Sequence, residues 1–143
     1  MGIKLKTKST IFLIATILLL GVFSGCSNKN NNKATTESLK VSINNITPEE
    51  AKKRLDTENE IILLDVRTKE EYETGHIEKA ILMPLDTLAS ESQKNLEDKE
   101  ANIFVYCRSG SRSSAAAEIL IELGYKNVYN LGGIIDWPFE IQM

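Results

Sequence analysis

Little is abundant in this chain, and its shortages narrow what it can be. Only two cysteines occur, Cys26 and Cys107, so at most one disulfide is possible. There is a single histidine, His76, and a single tryptophan, Trp137. No apolar run reaches the ~20 residues that span a bilayer as a helix; the run from Ile11 to Phe23 has 13. Positive charge is not in excess either, the formal balance being −3. Lys4, Lys6 and Lys8 precede that apolar run, and without them 14 basic residues face 20 acidic ones, a balance of −6. Such a domain has no electrostatic reason to bind nucleic acid or an anionic membrane surface. At 143 residues, with no internal repeat, there is room for one ordinary domain and not two.

The beginning of the chain reads as an address. A basic stretch, the apolar run and the small pair Ser24-Gly25 follow one another in the order of a secretory signal peptide, with an uncleaved anchor as the alternative. The Ser-Gly-Cys ending resembles the lipobox of bacterial lipoproteins, which implies lipidation of Cys26 after removal of residues 1–25. Residues 26–40 would then be a lipidated cysteine and a tether rich in Asn, Lys, Ser and Thr, too polar to bury a core. A tether of this kind reaches on the order of 20 Å. Lipidation would place the domain on the outer face of the cell membrane and leave Cys107 as a lone thiol.

Residues 41–143 alternate apolar runs with helix signals. Thr47-Pro48-Glu49-Glu50 and Thr68-Lys69-Glu70-Glu71 both have the spacing of a capping box, the second helix ending at Gly75. Ile61–Leu64 and Ile103–Tyr106 read as buried strands, and Ala80–Met83 as a brief apolar run stopped by Pro84. Ser113–Leu123 carries Ala116, Ile119, Leu120 and Leu123 on one helical face, closed by Gly124, and Val128–Leu131 is a final strand. Alternation of this kind predicts an α/β domain with a mainly parallel sheet, whose working site lies at the carboxyl ends of the strands. Two strand ends are polar: Asp65-Val66-Arg67, and Cys107 with Arg108, Ser109, Gly110, Ser111, Arg112 and Ser113.

A short loop between a buried strand and a helix turns its N–H groups inward, and the helix end adds about half a positive charge. With Arg108 and Arg112 beside it, Cys107 is expected to be a thiolate; lowering a thiol pKa by about two units takes ~2.7 kcal/mol of preferential anion stabilisation. An inert strand-end cysteine would not account for two arginines and three serines around it. His76 raises the alternative of a Cys–His dyad, but a preformed thiolate needs no general base. Asp65 and Arg67 read either as a plain ion pair or as residues that orient the loop. Trp137 and Gly132-Gly133 read as packing and turn residues.

CRSGSRS after an apolar strand, together with LLDVRTKEEYETGHI, AILMP and LGGIIDW, resembles the single-domain rhodanese-like sulfurtransferases from about Ile43 onward. The resemblance implies a small, mainly parallel β-sheet flanked by helices on both faces. It implies a persulfide on Cys107, formed from thiosulfate or a persulfide and passed to a thiol or cyanide, with no metal or organic cofactor. Arg108, Ser109, Gly110, Ser111, Arg112 and Ser113 would bind the persulfide and donor, Asp65 and Arg67 would support the loop, and His76 would be structural. The implied partners are a small sulfur donor and a thiol acceptor, on a small molecule or on a protein, with the domain acting as a monomer. Cysteine-dependent phosphatases and arsenate reductases share this nucleophile but place five residues between cysteine and arginine. Here there are four, Arg108 to Ser111, which suits a single sulfur better than a tetrahedral oxyanion. A tethered carrier or binding module with little turnover is the alternative from another class.

Overall fold

A computed structural model describes residues 42–143. The signal peptide, Cys26 and the tether expected over residues 1–40 lie outside the described residues.

Five strands form one sheet: β1 (Asn44–Asn45), β2 (Ile61–Asp65), β3 (Ile81–Leu82), β4 (Asn102–Cys107) and β5 (Asn127–Gly133). Their spatial order is β1-β5-β4-β2-β3 and all four pairings are parallel. Parallel neighbours need crossovers, supplied here by α1 (Pro48–Thr57), α2 (Lys69–Glu73), α3 (Leu88–Asn95) and α4 (Ser111–Glu122). A 3₁₀ turn, Ile134–Asp136, follows β5.

Strand alternation decides which side chains meet which helices. Ile103, Val105 and Cys107 of β4 point to the face shared with Leu88 and Leu96 near α3 and with Ala116, Ala117 and Leu120 of α4. Phe104 and Tyr106 point the other way, against Ala51 of α1, Leu131 and Trp137. β2 and β4 are therefore apolar on both sides, as their unbroken apolar runs require. Burying a side chain such as Leu120 or Phe104 contributes roughly 1.5–3 kcal/mol, and both are wholly buried.

Helix starts follow the expected chemistry with differences of detail. Thr68 and Glu71 complete a capping box: the Glu71 N–H donates to Thr68 Oγ1 at 3.3 Å, and the Thr68 N–H to Glu71 Oε2 at 3.1 Å. At α1 the Glu50 N–H donates to Thr47 Oγ1 at 3.2 Å, without the return bond from Glu50. Helix α4 begins at Ser111, two residues before the expected Ser113. Helix α3 had no sequence expectation at all. Its sequence, LASESQKN, is mostly polar, and Thr87 caps it without a side-chain bond. Only Leu88 and Ser92 are buried within it.

The glycines after the last strand are not a turn. Gly132 and Gly133 are the last residues of β5, brought opposite Tyr106 and Cys107 by a register shift past Val105.

Candidate active site

Strand β4 delivers Cys107 to the carboxyl edge of the sheet, on the face covered by α4. The residue is 1% exposed. Beyond it the chain must reverse into α4 within three residues, and Gly110 makes this possible with φ +99°, a left-handed value that costs glycine nothing. Because the cap residue is glycine, no side chain satisfies the first N–H groups of α4. The sulfur takes that place, accepting from the Ser113 N–H of the first turn and from the Gly110 N–H at 3.1 Å.

Ser113 reaches the sulfur from the first turn of α4. The thiol lies within 3.8 Å of Ser113 Oγ, while that hydroxyl donates toward Gly110 O at 2.9 Å and Gly132 O at 3.1 Å. Ser113 thus ties loop, helix and β5 together under the sulfur. The close approach of β5 depends on Gly133, where an added Cβ would stand 2.6 Å from Arg108 O and 2.8 Å from Ser109 Cα. Both are backbone atoms and neither could move without displacing the loop. The Ile135 N–H donates to Arg108 O at 3.3 Å and holds the outside of the same turn.

The acidity of the thiol follows from these contacts. Burial, the largest single influence, pushes the Cys107 thiol up. The N–H groups of Ser113, Gly110 and Ser109 and the Ser113 hydroxyl outweigh it, and the net shift is downward. Arg112 adds to this through its charge, which interacts with the sulfur's, so the expected arginine contribution stands beside a larger one from the amides.

Arg112 is otherwise engaged. Its guanidinium donates to both carboxylate oxygens of Glu71 at 2.6 and 2.8 Å, across 41 residues of sequence. That bidentate pair holds the Glu71 carboxyl down to about 2, with burial opposing and the Thr68 N–H assisting. Arg108, Ser109 and Ser111 stand at the rim; Arg108, Ser109 and Ser111 are exposed, and Gly110 is half-buried.

Asp65 and Arg67 lie at the neighbouring strand end, both buried. Asp65 Oδ1 accepts from the Arg67 N–H at 3.0 Å and from Nε at 2.9 Å, and Oδ2 from Nη2 at 2.6 Å. Arg67 Nη2 also donates to Gly75 O at 2.8 Å, pinning the end of α2. Among the described residues neither side chain hydrogen-bonds the Cys107 loop. Asp65 acts on Arg112 of the loop through its charge. Burial and the Asp65 carboxylate together push the Tyr106 phenol up, and its oxygen accepts the Ile77 N–H at 3.1 Å.

His76 does not contact the sulfur. Its Nδ1 lies 3.2 Å from Tyr72 O, its ring stacks on Tyr72 at 3.8 Å, and its backbone pairs with Gln142. Trp137 is buried against the sheet and packs edge-on to Phe139 at 5.0 Å. Among the described residues no cluster of potential metal ligands occurs.

A parallel α/β domain that presents a buried cysteine in a cradle of amides, at the end of a central strand, defines the class. Comparison with known proteins gives the family: the rhodanese-like domain model matches residues 47–138, and this chain belongs to that family. Thiosulfate sulfurtransferase PspE of Escherichia coli is 40% identical over 73 residues, covering 51% of this chain and 70% of that protein. The tRNA uridine(34) hydroxylase of Yersinia pestis is 40% identical over 81 residues, 53% of this chain, but the match spans only 23% of the hydroxylase. Among solved structures, a rhodanese-like domain protein from Staphylococcus aureus superposes with a TM-score of 0.63 at 30% identity, covering 71% of this chain and 98% of its own. The fold expectation, a small parallel sheet with helices on both faces, holds in full.

Two contributors to the site were not singled out from the sequence. Glu71 was read only as a helix cap, and Gly133 only as a turn residue. A capping glutamate offers no sign of a second partner, whereas a Gly-Gly pair ending a strand beside a loop is a signal of close backbone approach.

Proposed function

We propose that this domain is a sulfurtransferase in which Cys107 carries sulfane sulfur as a persulfide. The observation that carries this reading is the Cys107 cradle: the Gly110 N–H at 3.1 Å, the N–H groups of Ser109 and Ser113 and a helix end favour the thiolate. The thiolate attacks the outer sulfur of thiosulfate, with sulfite leaving, or that of a hydropersulfide, with a thiolate leaving. The product persulfide is also an anion, so the same amides stabilise it. The added sulfur sits ~2.05 Å beyond Sγ. Because Cys107 is only 1% exposed, that extension moves the reacting atom outward, toward an acceptor thiol.

Membership of the rhodanese-like family and likeness to a thiosulfate sulfurtransferase support this reading. Arg108, Ser109, Gly110, Ser111 and Ser113 form the loop around persulfide and donor, with Arg112 above it and Asp65 and Arg67 holding the adjacent strand end. Intact-mass spectrometry after exposure to a donor tests the mechanism. The reduced protein gains one sulfur atom per chain and Cys107→Ser gains none; a gain retained in that variant overturns it. A purely carrier role appears in the same experiment as loading with slow onward transfer.

We also propose that Cys26 is lipidated and holds the domain at the outer face of the cell membrane. The basic, apolar and Ser-Gly-Cys order of the first 26 residues supports it. Cys26→Ser is then expected to release the protein into the soluble fraction. Continued sedimentation with membranes would point to an uncleaved anchor.

A further inference from the structure

The mouth of the site is less cationic than its arginines imply. Arg112 lines a shallow cavity of about 290 Å³ with Val66, Pro84, Leu85 and Asp86. Arg108 lines a second, of about 480 Å³, with Glu70, Glu71 and Ile135. With Arg67, which lines both cavities, three arginines meet three carboxylates, Glu70, Glu71 and Asp86. Glu71 is held firmly between its partners: Oε2 accepts the Thr68 N–H at 3.1 Å and Arg112 Nη1 at 2.6 Å, and Oε1 accepts Arg112 Nη2 at 2.8 Å. The Arg112 and Glu71 side chains keep 33% and 26% exposure, so the pair is open to solvent while its cation still feels the Cys107 sulfur.

We infer that Glu71 is a specificity-determining residue: by occupying Arg112 it favours hydropersulfide donors, which carry one negative charge, over the dianion thiosulfate. This rests on the sulfurtransferase reading above. The sulfur draws most of its stabilisation from amides, with Arg112 contributing through its charge alone. The fork of Arg112 that could clasp a sulfonate is already filled by a carboxylate, and bidentate geometry admits one such partner. A donor must then approach without that clasp, and the attraction it forgoes scales with its charge. Thiosulfate, with two charges and a sulfonate to clasp, loses more by this than a hydropersulfide with one.

Both loading reactions balance. In one, the Cys107 thiolate bonds to the outer sulfur of R–S–S⁻, the S–S bond of the donor breaks, and R–S⁻ departs with the electron pair. In the other, it bonds to the outer sulfur of thiosulfate and sulfite departs with two charges. No electrons enter or leave either system, and no proton is required.

The test is the second-order rate of Cys107 loading in the full chain, read by intact mass, with thiosulfate and with a low-molecular-weight thiol hydropersulfide. Glu71→Gln retains the capping box, in which Gln serves as well as Glu, and frees the Arg112 charge. The thiosulfate rate relative to the hydropersulfide rate should rise about fivefold, through a lower half-saturating concentration. Arg112→Ala leaves the Glu71 carboxylate unopposed, and the same ratio should fall. Opposite movement of the ratio in the two variants is what a purely structural ion pair would not produce. If both donors slow together in Glu71→Gln, or the ratio is unchanged in both variants, the inference is overturned. If neither donor loads the unaltered protein, the sulfurtransferase reading fails first and takes this one with it.

Discussion

Two neighbouring strand ends handle an anion in opposite ways. At the end of β2, the Asp65 carboxylate is buried and meets three donor groups of Arg67, so its charge is answered by a cation. At the end of β4, one strand away, the Cys107 sulfur is equally buried and is answered by amides. A cation that pairs with an anion in two bonds closes it to anything else. Amides carry only partial charges and leave the anion's outer side open. The same sheet edge thus contains one locked charge, which holds the structure, and one available charge, suited to chemistry.

The largest test of this contrast is removal of the locked charge. Asp65→Asn strands the Arg67 guanidinium in a buried place, and the expected loss is about 3–5 kcal/mol of stability in urea unfolding. Replacing both, as Asp65→Asn with Arg67→Met, should recover much of that loss, because no orphan charge remains. Equal losses in single and double variants would show that the pair contributes packing and not charge balance.

Next in size is the approach of β5 to the loop. Gly133→Ala forces a Cβ to within 2.6 Å of Arg108 O, and the loop must shift. About 1–3 kcal/mol of stability should be lost, and persulfide loading should fall further than stability alone accounts for. Normal loading in a folded Gly133→Ala protein would show that the cradle tolerates displacement.

The smallest effect concerns the thiol titration. The Cys107 pKa lies below its ordinary value of 9.0, so alkylation by iodoacetamide should rise and level off before the pH at which free cysteine does. The folded state is correspondingly stabilised above the ordinary thiol pKa, and that contribution is lost as pH falls through the lowered one. Removing both charges, as Arg112→Ala with Glu71→Gln, should move this titration only slightly, since the two cancel at 2.6 Å. A large upward move would restore the arginines to the main role and erase the contrast between the two strand ends.

Much of this was legible in the sequence because it is local. Thr68 and Glu71 cap a helix within four residues, and Ile103–Tyr106 reads as a strand from its own side chains. Helix α3 escaped notice because Leu88, Ser92 and Leu96 make a thin buried stripe in an otherwise polar stretch. Helix α4 begins at Ser111, two residues early, and the sulfur accepts the Ser113 N–H of its first turn. No sequence pattern reports a cysteine serving as a helix cap.

By itself the sequence determined the parallel α/β architecture, the site at the end of β4 and the presence there of a cysteine between small and cationic residues. These depend on periodicity and on hydrogen bonds between near neighbours. Only the tertiary structure decided which groups hold the sulfur and which arginine is free to act. Glu71 and Arg112 are 41 residues apart, and Gly133 reaches Arg108 from another strand. Charge and close packing act through distance in space, which the order of residues along the chain does not state.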